Sequence, residues 1–356
     1  MLDQKEITEA IAANETIENT DLSGVNLAGA DLGGGRFENV VFNRADFRKA
    51  KITRTGFRKC SFVGALFDET DLTRMDLRKM DLRAASFKNA LMHQTLFDSS
   101  DLAGSDFSGA RVSWTLLQET NLSGASFLKT DFEKAVLQDA NCEAADFTGA
   151  RLYKAIFQNA GLSGAVFRGA TLHKVLLAGC DLAGQDFSGM RFREVNFSNA
   201  ALGGADFSDA DISACAFTGA DLQGAKLDRA VARQSMFHQA GLAGASLKQA
   251  VLEQAYLGEA NLEGALLDGA VLESASLEKA RAAGADFTRA NCRYLELSYA
   301  DISNAVFKDT ALYMARMHKT VDDGVDWKKT LPAKPRGSPD GLAEAEAWQP
   351  PDSVPD

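Results

Sequence analysis

Aspartate is the residue type in this chain that most obviously offers chemistry, because it recurs at fixed spacing. Paired carboxylates suit general acid–base catalysis, but no nucleophile, base and orienting group converge on these. We therefore expect the carboxylates to accept backbone N–H groups at turns or to face water, and we predict that the protein is not an enzyme. The two sets that share a spacing are Asp101, Asp181 and Asp221, and then Asp106, Asp146, Asp186 and Asp206.

Cysteine and histidine are also arranged unfavourably for a catalytic or metal site. The five cysteines are odd in number and include no CxxC pair, which argues against a disulfide framework. The four histidines are never close in sequence, so they do not have the spacing of metal ligands. We predict no metal and no cofactor, with the cysteines acting as small apolar core residues. These residues are Cys60, Cys142, Cys180, Cys215 and Cys292, and His93, His173, His238 and His318.

A five-residue repeat decides where these side chains point. Steps of five from Leu22 to Met317 give 60 consecutive positions without an insertion, nearly all of them apolar. All 22 phenylalanines lie in this register, whereas chance would place about one in five there. A second column of small residues lies two positions earlier, as in the segment Ala145-Asp146-Phe147-Thr148-Gly149. Because a period of five fits neither a strand nor a helix, we predict a chain that turns a corner every five residues.

The structural period is four of these repeats, or one full coil, because glycine and phenylalanine sort by side of the coil. Glycine occupies eleven of fifteen positions in the column that contains Gly24 and Gly64, and phenylalanine occupies eleven of fifteen in the column of Phe47 and Phe67. Glycine at one corner suits the positive φ of a type II turn. The sequence therefore predicts an all-β solenoid of about fifteen square coils.

This pattern resembles the pentapeptide-repeat family over about residues 17–320. The resemblance implies a right-handed quadrilateral β-helix with short terminal caps. Coils stacked at the roughly 4.8 Å spacing of paired strands would make a rod about 72 Å long. Its open ends need covering, and we predict a short capping helix at Asp3–Ala13 and a second cap at Ala311–Lys319.

Three regions follow from the repeat and from composition. We predict an N-terminal cap at residues 1–20, the pentapeptide-repeat β-helix at 21–320, and a disordered tail rich in proline, glycine and acid at 321–356. Trp348 in this tail is a candidate docking anchor. No apolar run reaches the roughly 18 residues of a membrane helix, and the N-terminal cap contains no apolar signal segment. We therefore expect a cytoplasmic bacterial protein with no membrane association.

Charge bears on the choice of partner. Members of the family that protect bacterial topoisomerases are thought to imitate duplex DNA. Residues 21–320 carry a net charge of only −3, whereas duplex DNA of the predicted length carries about 42 negative charges. Residues 36–88 are net +6, which is the wrong sign for a mimic. No aromatic residues lie between these cations on outward columns, so nucleic acid is disfavoured, and solubility or an acidic protein surface explains them.

One outward column is apolar, although the other three sides are mainly polar. It runs through five successive coils and, after Asn196, resumes further along the chain. A corner with Lys134, Lys154 and Lys174 lies beside it. Strand propensity alone can favour such residues, but a contiguous apolar patch with a polar rim indicates an interaction site. The predicted partner-binding residues are Leu96, Trp114, Leu116, Val136, Tyr153, Ile156, Leu176, Met236, Tyr256 and Trp348.

These features together predict a non-enzymatic scaffold or adaptor that binds another protein, or a second copy of itself, through the apolar column. Long, unbroken chains of this kind are similar to proteins associated with type VI secretion loci, which implies a role in carrying effectors or assembling the secretion spike. The alternative is inhibition or protection of a type II topoisomerase such as gyrase by DNA mimicry.

Overall fold

The computed structural model describes residues 2–330. Contacts along the chain divide it into two compact units, Met1–Asp206 and Phe207–Asp356. The division has a simple cause, because each coil of a solenoid contacts only its neighbours and a long array has no contacts that tie distant coils together.

The first unit begins with helix α1 (Gln4–Ala12), which lies where the sequence predicted a capping helix. The Asp3 side chain accepts a hydrogen bond from the Glu6 N–H at 2.9 Å, and the Glu6 side chain accepts one from the Asp3 N–H at 2.8 Å. This reciprocal capping box satisfies two backbone donors that the helix itself leaves free. On the inner side of the helix, Ile7 is fully buried.

Nine short strands follow α1 within the described residues, all of them in the first unit, and they form two parallel sheets with the orders β1-β2-β3 and β4-β5-β6-β7-β8-β9. Each strand pairs with the equivalent residues of a neighbouring coil, as Phe37 does with Phe57. The strands are β1 (Thr16–Glu18), β2 (Arg36–Glu38), β3 (Gly56–Arg58), β4 (Leu91–His93), β5 (Arg111–Ser113), β6 (Asp131–Glu133), β7 (Arg151–Tyr153), β8 (Thr171–His173) and β9 (Phe192–Arg193).

Outside these strands, single-residue parallel bridges join equivalent positions of neighbouring coils in both units, for example Asp101 with Asn121 and Val251 with Val271. The fold is therefore the all-β parallel solenoid that the sequence predicted. The corners take positive φ whether or not the residue is glycine, with 71° at Gly24 and 59° at Arg44. No helix within residues 2–330 is long and apolar enough to cross a membrane.

The core of the first unit is a stack of phenylalanine rings on one side of the coil. The Phe147 ring lies between those of Phe127 and Phe167, with centroids 4.9 Å and 5.1 Å away and the planes nearly parallel. The column of small residues contributes hydrogen bonds as well as packing. Thr130 Oγ1, for example, donates to the Phe107 carbonyl at 2.8 Å. Within residues 2–330, every buried side-chain nitrogen and oxygen has a hydrogen-bond partner. None of these atoms therefore carries the cost of being buried without a hydrogen bond.

The second unit uses the same coil with a different filling. Leu227, Leu247 and Leu267 are fully buried, and Phe287 stacks on Phe307 at a centroid distance of 4.7 Å. The Trp327 ring stacks in turn on Phe307 at 5.3 Å.

The predicted C-terminal cap at Ala311–Lys319 is wrong, because these residues continue the coil. Ala311 pairs with Asn291 and Val321 with Asp301. The five-residue register persists through this segment, and the covering ring comes later, from Trp327 in a 3-10 helix at Trp327–Lys329. Residues 321–330, which the sequence assigned to a disordered tail, therefore have defined contacts. The rest of that tail, including Trp348, lies outside the described residues.

Candidate interaction surface

The apolar column of the first unit forms a strip of five side chains, which we call the apolar strip: Leu96, Leu116, Val136, Ile156 and Leu176. Successive members are bridge partners in neighbouring coils, so they lie about 4.8 Å apart. All five side chains point outward but are half-buried, because each is flanked by the next member of the row. The strip ends where Leu176 pairs with the polar Asn196.

One border of the strip is a corner that carries Trp114 and then three lysines, Lys134, Lys154 and Lys174, which we call the lysine corner. All four residues have φ between 54° and 56°. The left-handed conformation costs a non-glycine residue about 1–2 kcal/mol. Other non-glycine corners of the chain adopt it too, so the coil requires this conformation and the lysines do not cause it. The position of this corner follows from the sequence, whereas its contacts are seen only in the structure.

Two lysines of the corner lie over aromatic rings. Lys134 Nζ is 4.1 Å from the centroid of the Trp114 ring, and Lys154 Nζ is 5.2 Å from that of Tyr153. A cation over an aromatic face is stabilised by about 0.5–1 kcal/mol at exposed sites. Trp114 is 49% exposed and Tyr153 is 36% exposed. This border is therefore a row of ammonium groups supported by accessible aromatic rings.

Beyond the lysine corner, the outer surface of the sheet β4–β9 carries further positive charge. Arg111, Arg151, Arg191 and Arg193 are all exposed there. Acidic side chains neutralise part of this charge: Arg151 pairs with Asp131, Lys134 with Glu133 at 3.7 Å, and Lys174 with Glu194 at 3.4 Å. The sequence did not reveal this cationic sheet face as a run of basic residues, because most of its cations belong to different coils and lie far apart in the chain.

The opposite border of the strip is neutral to acidic. Gln118, Gln138 and Gln158 lie on it, and Glu119 and Asp139 follow at the next corner. Gln138 donates to the Asp139 carboxylate at 3.0 Å, and Asn159 donates to the same carboxylate at 3.2 Å. The two borders of the strip thus differ in charge.

In the second unit, Met236 and Tyr256 are bridge partners and are 48% and 43% exposed. The next residues in the same row are the polar Ser276 and Glu296, so this row is a two-residue apolar patch and not a long strip. The predicted partner-binding residues thus lie in the first unit, in the second unit and, for Trp348, outside the described residues.

Two exposed tyrosines of the second unit were not among the residues predicted from the sequence. Tyr294 and Tyr313 form an edge-to-face pair with ring centroids 5.9 Å apart, and both are about half exposed. A groove of about 330 Å³ beside Tyr294 is also lined by Glu296, Met314 and Arg316. The outward placement of tyrosine, against the inward placement of phenylalanine, is the signal that could have revealed them.

Most cations of the basic segment 36–88 have an acidic partner. Arg78 pairs with Asp76 at 2.7 Å and Arg83 with Asp81 at 2.8 Å. These ion pairs neutralise part of the positive charge of this segment.

The aspartate rows are turn-forming residues. Oδ1 of Asp106 accepts the Ser108 N–H at 2.9 Å, and Oδ1 of Asp146 accepts the Thr148 N–H at 2.8 Å. Hydrogen bonds from the Ser188 hydroxyl and N–H hold the pKa of Asp186 below its usual value. Within residues 2–330, no group of three or more acidic, histidine or cysteine side chains could hold a metal ion.

The five cysteines are all buried, as the register requires. Burial raises the pKa of the Cys180 thiol to about 12, and it also raises that of Cys292. Cys180 Sγ donates to the Phe157 carbonyl at 3.0 Å, the same kind of bond that inward threonines make. These thiols are parts of the core.

Comparisons with known proteins agree with the coil geometry. A family model described as "Pentapeptide repeats (8 copies)" matches residues 20–58, 115–152, 145–184, 176–213, 215–254, 255–291 and 285–321. A second family model, described as "Pentapeptide repeat region", matches residues 50–127. The comparison with curated proteins gives no match.

Three solved structures are similar in fold. A trypsin-treated variant of QnrB1, a plasmid-mediated fluoroquinolone resistance protein, is 22% identical over 67% of this chain and 91% of its own, with a TM-score of 0.33. HetL of the cyanobacterium Nostoc, a pentapeptide repeat protein involved in heterocyst differentiation regulation, is 24% identical over 80% and 97%, with a TM-score of 0.19. A pentapeptide repeat protein of the Arabidopsis thaliana thylakoid lumen is 25% identical over 30% and 68%, with a TM-score of 0.18. Because the family models match most of its length, the chain belongs to the pentapeptide-repeat family.

Proposed function

We propose that this protein is a non-enzymatic scaffold or adaptor that binds another protein, or a second copy of itself, through the apolar strip of the first unit. The observation that carries this proposal is the unbroken row of five aliphatic side chains beside Trp114 and Tyr153. Apolar surface that is contiguous and rimmed by polar groups is characteristic of interaction sites. Tryptophan, tyrosine and arginine are the residues that most often dominate the energy of such interfaces.

Strand propensity is the competing explanation of the strip, since aliphatic residues suit any strand surface. Propensity would place them equally on every side of the coil. The row Asp101, Asn121 and Asn141, on another side of the same coils, is polar instead. The difference between sides supports a requirement specific to the strip.

The test replaces Leu116, Ile156 and Leu176 with aspartate. Carboxylates buried at an interface without partners are costly, so we expect this variant to remain folded and to lose self-association or its partner, measured by sedimentation velocity and by pull-down beside the wild type. The matched control is Leu128→Asp, Val166→Asp and Leu266→Asp, three aliphatic residues that are 36–39% exposed. An unchanged assembly state and an unchanged set of bound proteins in the strip variant would contradict the proposal.

The same variants separate this function from DNA mimicry. A protein that mimics DNA inhibits supercoiling by gyrase or protects gyrase from a quinolone. If the wild type inhibits gyrase and the strip variant inhibits it equally, that activity lies elsewhere on the molecule. A link to type VI secretion is implied only by the resemblance to proteins of those loci, and binding through the strip does not depend on it.

A further inference from the structure

We infer that the segment bound by the apolar strip is an acidic one, an amphipathic peptide whose apolar side lies on the strip and whose carboxylates reach the lysine corner and the cationic sheet face. This inference rests on the proposed function, since it names the chemistry of the partner at the same surface. The supporting observation is the difference in charge between the two borders of the strip.

The two borders of the strip recognise different groups. On one side, Lys134, Lys154 and Lys174 stand in successive coils, at about 4.8 Å spacing, and exposed arginines follow on the sheet. On the other side lie glutamines and the carboxylates of Glu119 and Asp139. An acidic segment is attracted to the first border and repelled by the second, so charge fixes both its chemistry and its lateral position.

Several of these cations are available to a partner. Within residues 2–330, Arg111, Lys154, Arg191 and Arg193 make no ion pair with an acidic side chain. Lys154 is held by the Tyr153 ring instead, and a side chain already positioned loses less conformational entropy when it binds.

A single-stranded nucleic acid is the other polyanion that a surface with lysine, arginine and aromatic residues accommodates. Two features favour a peptide. The face of the Trp114 ring is occupied by Lys134, whereas base stacking needs an open ring. Asp131 and Glu133 lie within the cationic sheet face, where a continuous phosphate backbone would meet them and a peptide can place neutral residues.

The test uses three fluorescein-labelled peptides of about 18 residues, or five helical turns, with leucine at the same helical positions, with Glu, Gln or Lys along one side of the leucines, and with Gln at all other positions. We expect the Glu peptide to bind the full-length protein at least about tenfold more tightly than the Gln peptide at low salt, because several exposed charge pairs, each weak on its own, add to that ratio. Fluorescence anisotropy measures the three dissociation constants.

Lys154→Gln with Lys174→Gln should abolish most of the preference for Glu over Gln. The matched control is Lys59→Gln with Lys79→Gln. These two lysines also lie at left-handed corners of adjacent coils, but they belong to a different column. The control variant should keep the preference for Glu over Gln. Equal binding of the three peptides, no binding of the Glu peptide, or tighter binding of the Lys peptide would overturn the inference. Tighter binding of labelled oligodeoxythymidylate than of the Glu peptide would overturn it in favour of nucleic acid.

A neutral strip variant, Leu116→Ser with Ile156→Ser and Leu176→Ser, distinguishes failure of this inference from failure of the proposed function. If all peptides lose affinity in this variant but the wild type shows no charge preference, the strip binds and the acidic chemistry is wrong. If this variant binds every peptide as the wild type does, the strip is not the binding face and the proposed function is wrong.

Discussion

The same position in the coil is occupied very differently in the two units. In the first unit it carries five aliphatic side chains in succession, all half-buried; in the second it carries the exposed Met236 and Tyr256, followed by Ser276 and Glu296. The backbone pairing is parallel in both cases and joins equivalent positions of neighbouring coils. The coil therefore determines where an outward side chain lies, and the residues placed there determine whether the surface can bind anything.

The interiors of the two units differ as well. At one inward position the first unit stacks phenylalanine rings, such as Phe127 on Phe147, whereas in the second unit three leucines, Leu227, Leu247 and Leu267, precede the stacked Phe287 and Phe307. Both sets are fully buried. Because each coil packs mainly on the coils before and after it, stability is close to a sum of local contributions, and a core of either kind supports the same backbone.

The largest effect on stability should come from the phenylalanine stack. Phe147→Ala removes a ring packed between two others, so we expect a loss of about 3–5 kcal/mol in the free energy of unfolding. The corresponding change in the second unit, Leu247→Ala, removes fewer atoms and should cost about 2–4 kcal/mol. Denaturant unfolding of each variant beside the wild type measures the two losses. An unchanged unfolding curve for Phe147→Ala would contradict the coil register.

Thiol reactivity should be equally low in both units, in contrast to their different cores. Cys180 in the first unit and Cys292 in the second are buried and have raised pKa values, and maleimide reacts with the accessible thiolate. We expect a bulky maleimide to label none of the five cysteines in the native protein and all five after denaturation, as counted by intact mass. Rapid native labelling of either thiol would show that its coil is open.

The smallest effect on stability should come from a substitution in the lysine corner. Lys154→Gly places glycine in a left-handed conformation that costs lysine about 1–2 kcal/mol, and the greater backbone entropy of glycine in the unfolded chain offsets about 0.5–1 kcal/mol of that gain. We expect a thermal midpoint that is equal to or slightly above that of the wild type, together with weaker binding of the acidic peptide. A lower midpoint would show that the Lys154 side chain stabilises the fold.

The coil itself could be predicted from the sequence, because a solenoid repeats the same local requirement at every corner and the signal accumulates over many coils. The inward placement of Phe147 and Cys180 followed from that register alone. The chain end was harder. Trp327 continues the five-residue count and the column of Phe307, but the polar Asp322 interrupts the apolar pattern before it, and its contact with Phe307 shows that it covers the core.

The candidate surface was predictable in position but not in detail. The row from Leu96 to Leu176 follows from counting the same position from one coil to the next. The contact of Lys134 with Trp114 depends on side-chain conformations that spacing does not specify. The half-burial of the strip likewise depends on how adjacent coils pack.

The central claim, that the strip of the first unit is the binding face, can be tested by photo-crosslinking. Benzoylphenylalanine in place of Ser113 lies next to the lysine corner, and in place of Glu273 it occupies the same coil position in the second unit; both side chains are half-buried. With the labelled acidic peptide, we predict a crosslink from position 113 that excess unlabelled peptide suppresses, and little or none from position 273. Equal crosslinking from the two positions, or crosslinking from 273 alone, would contradict the claim.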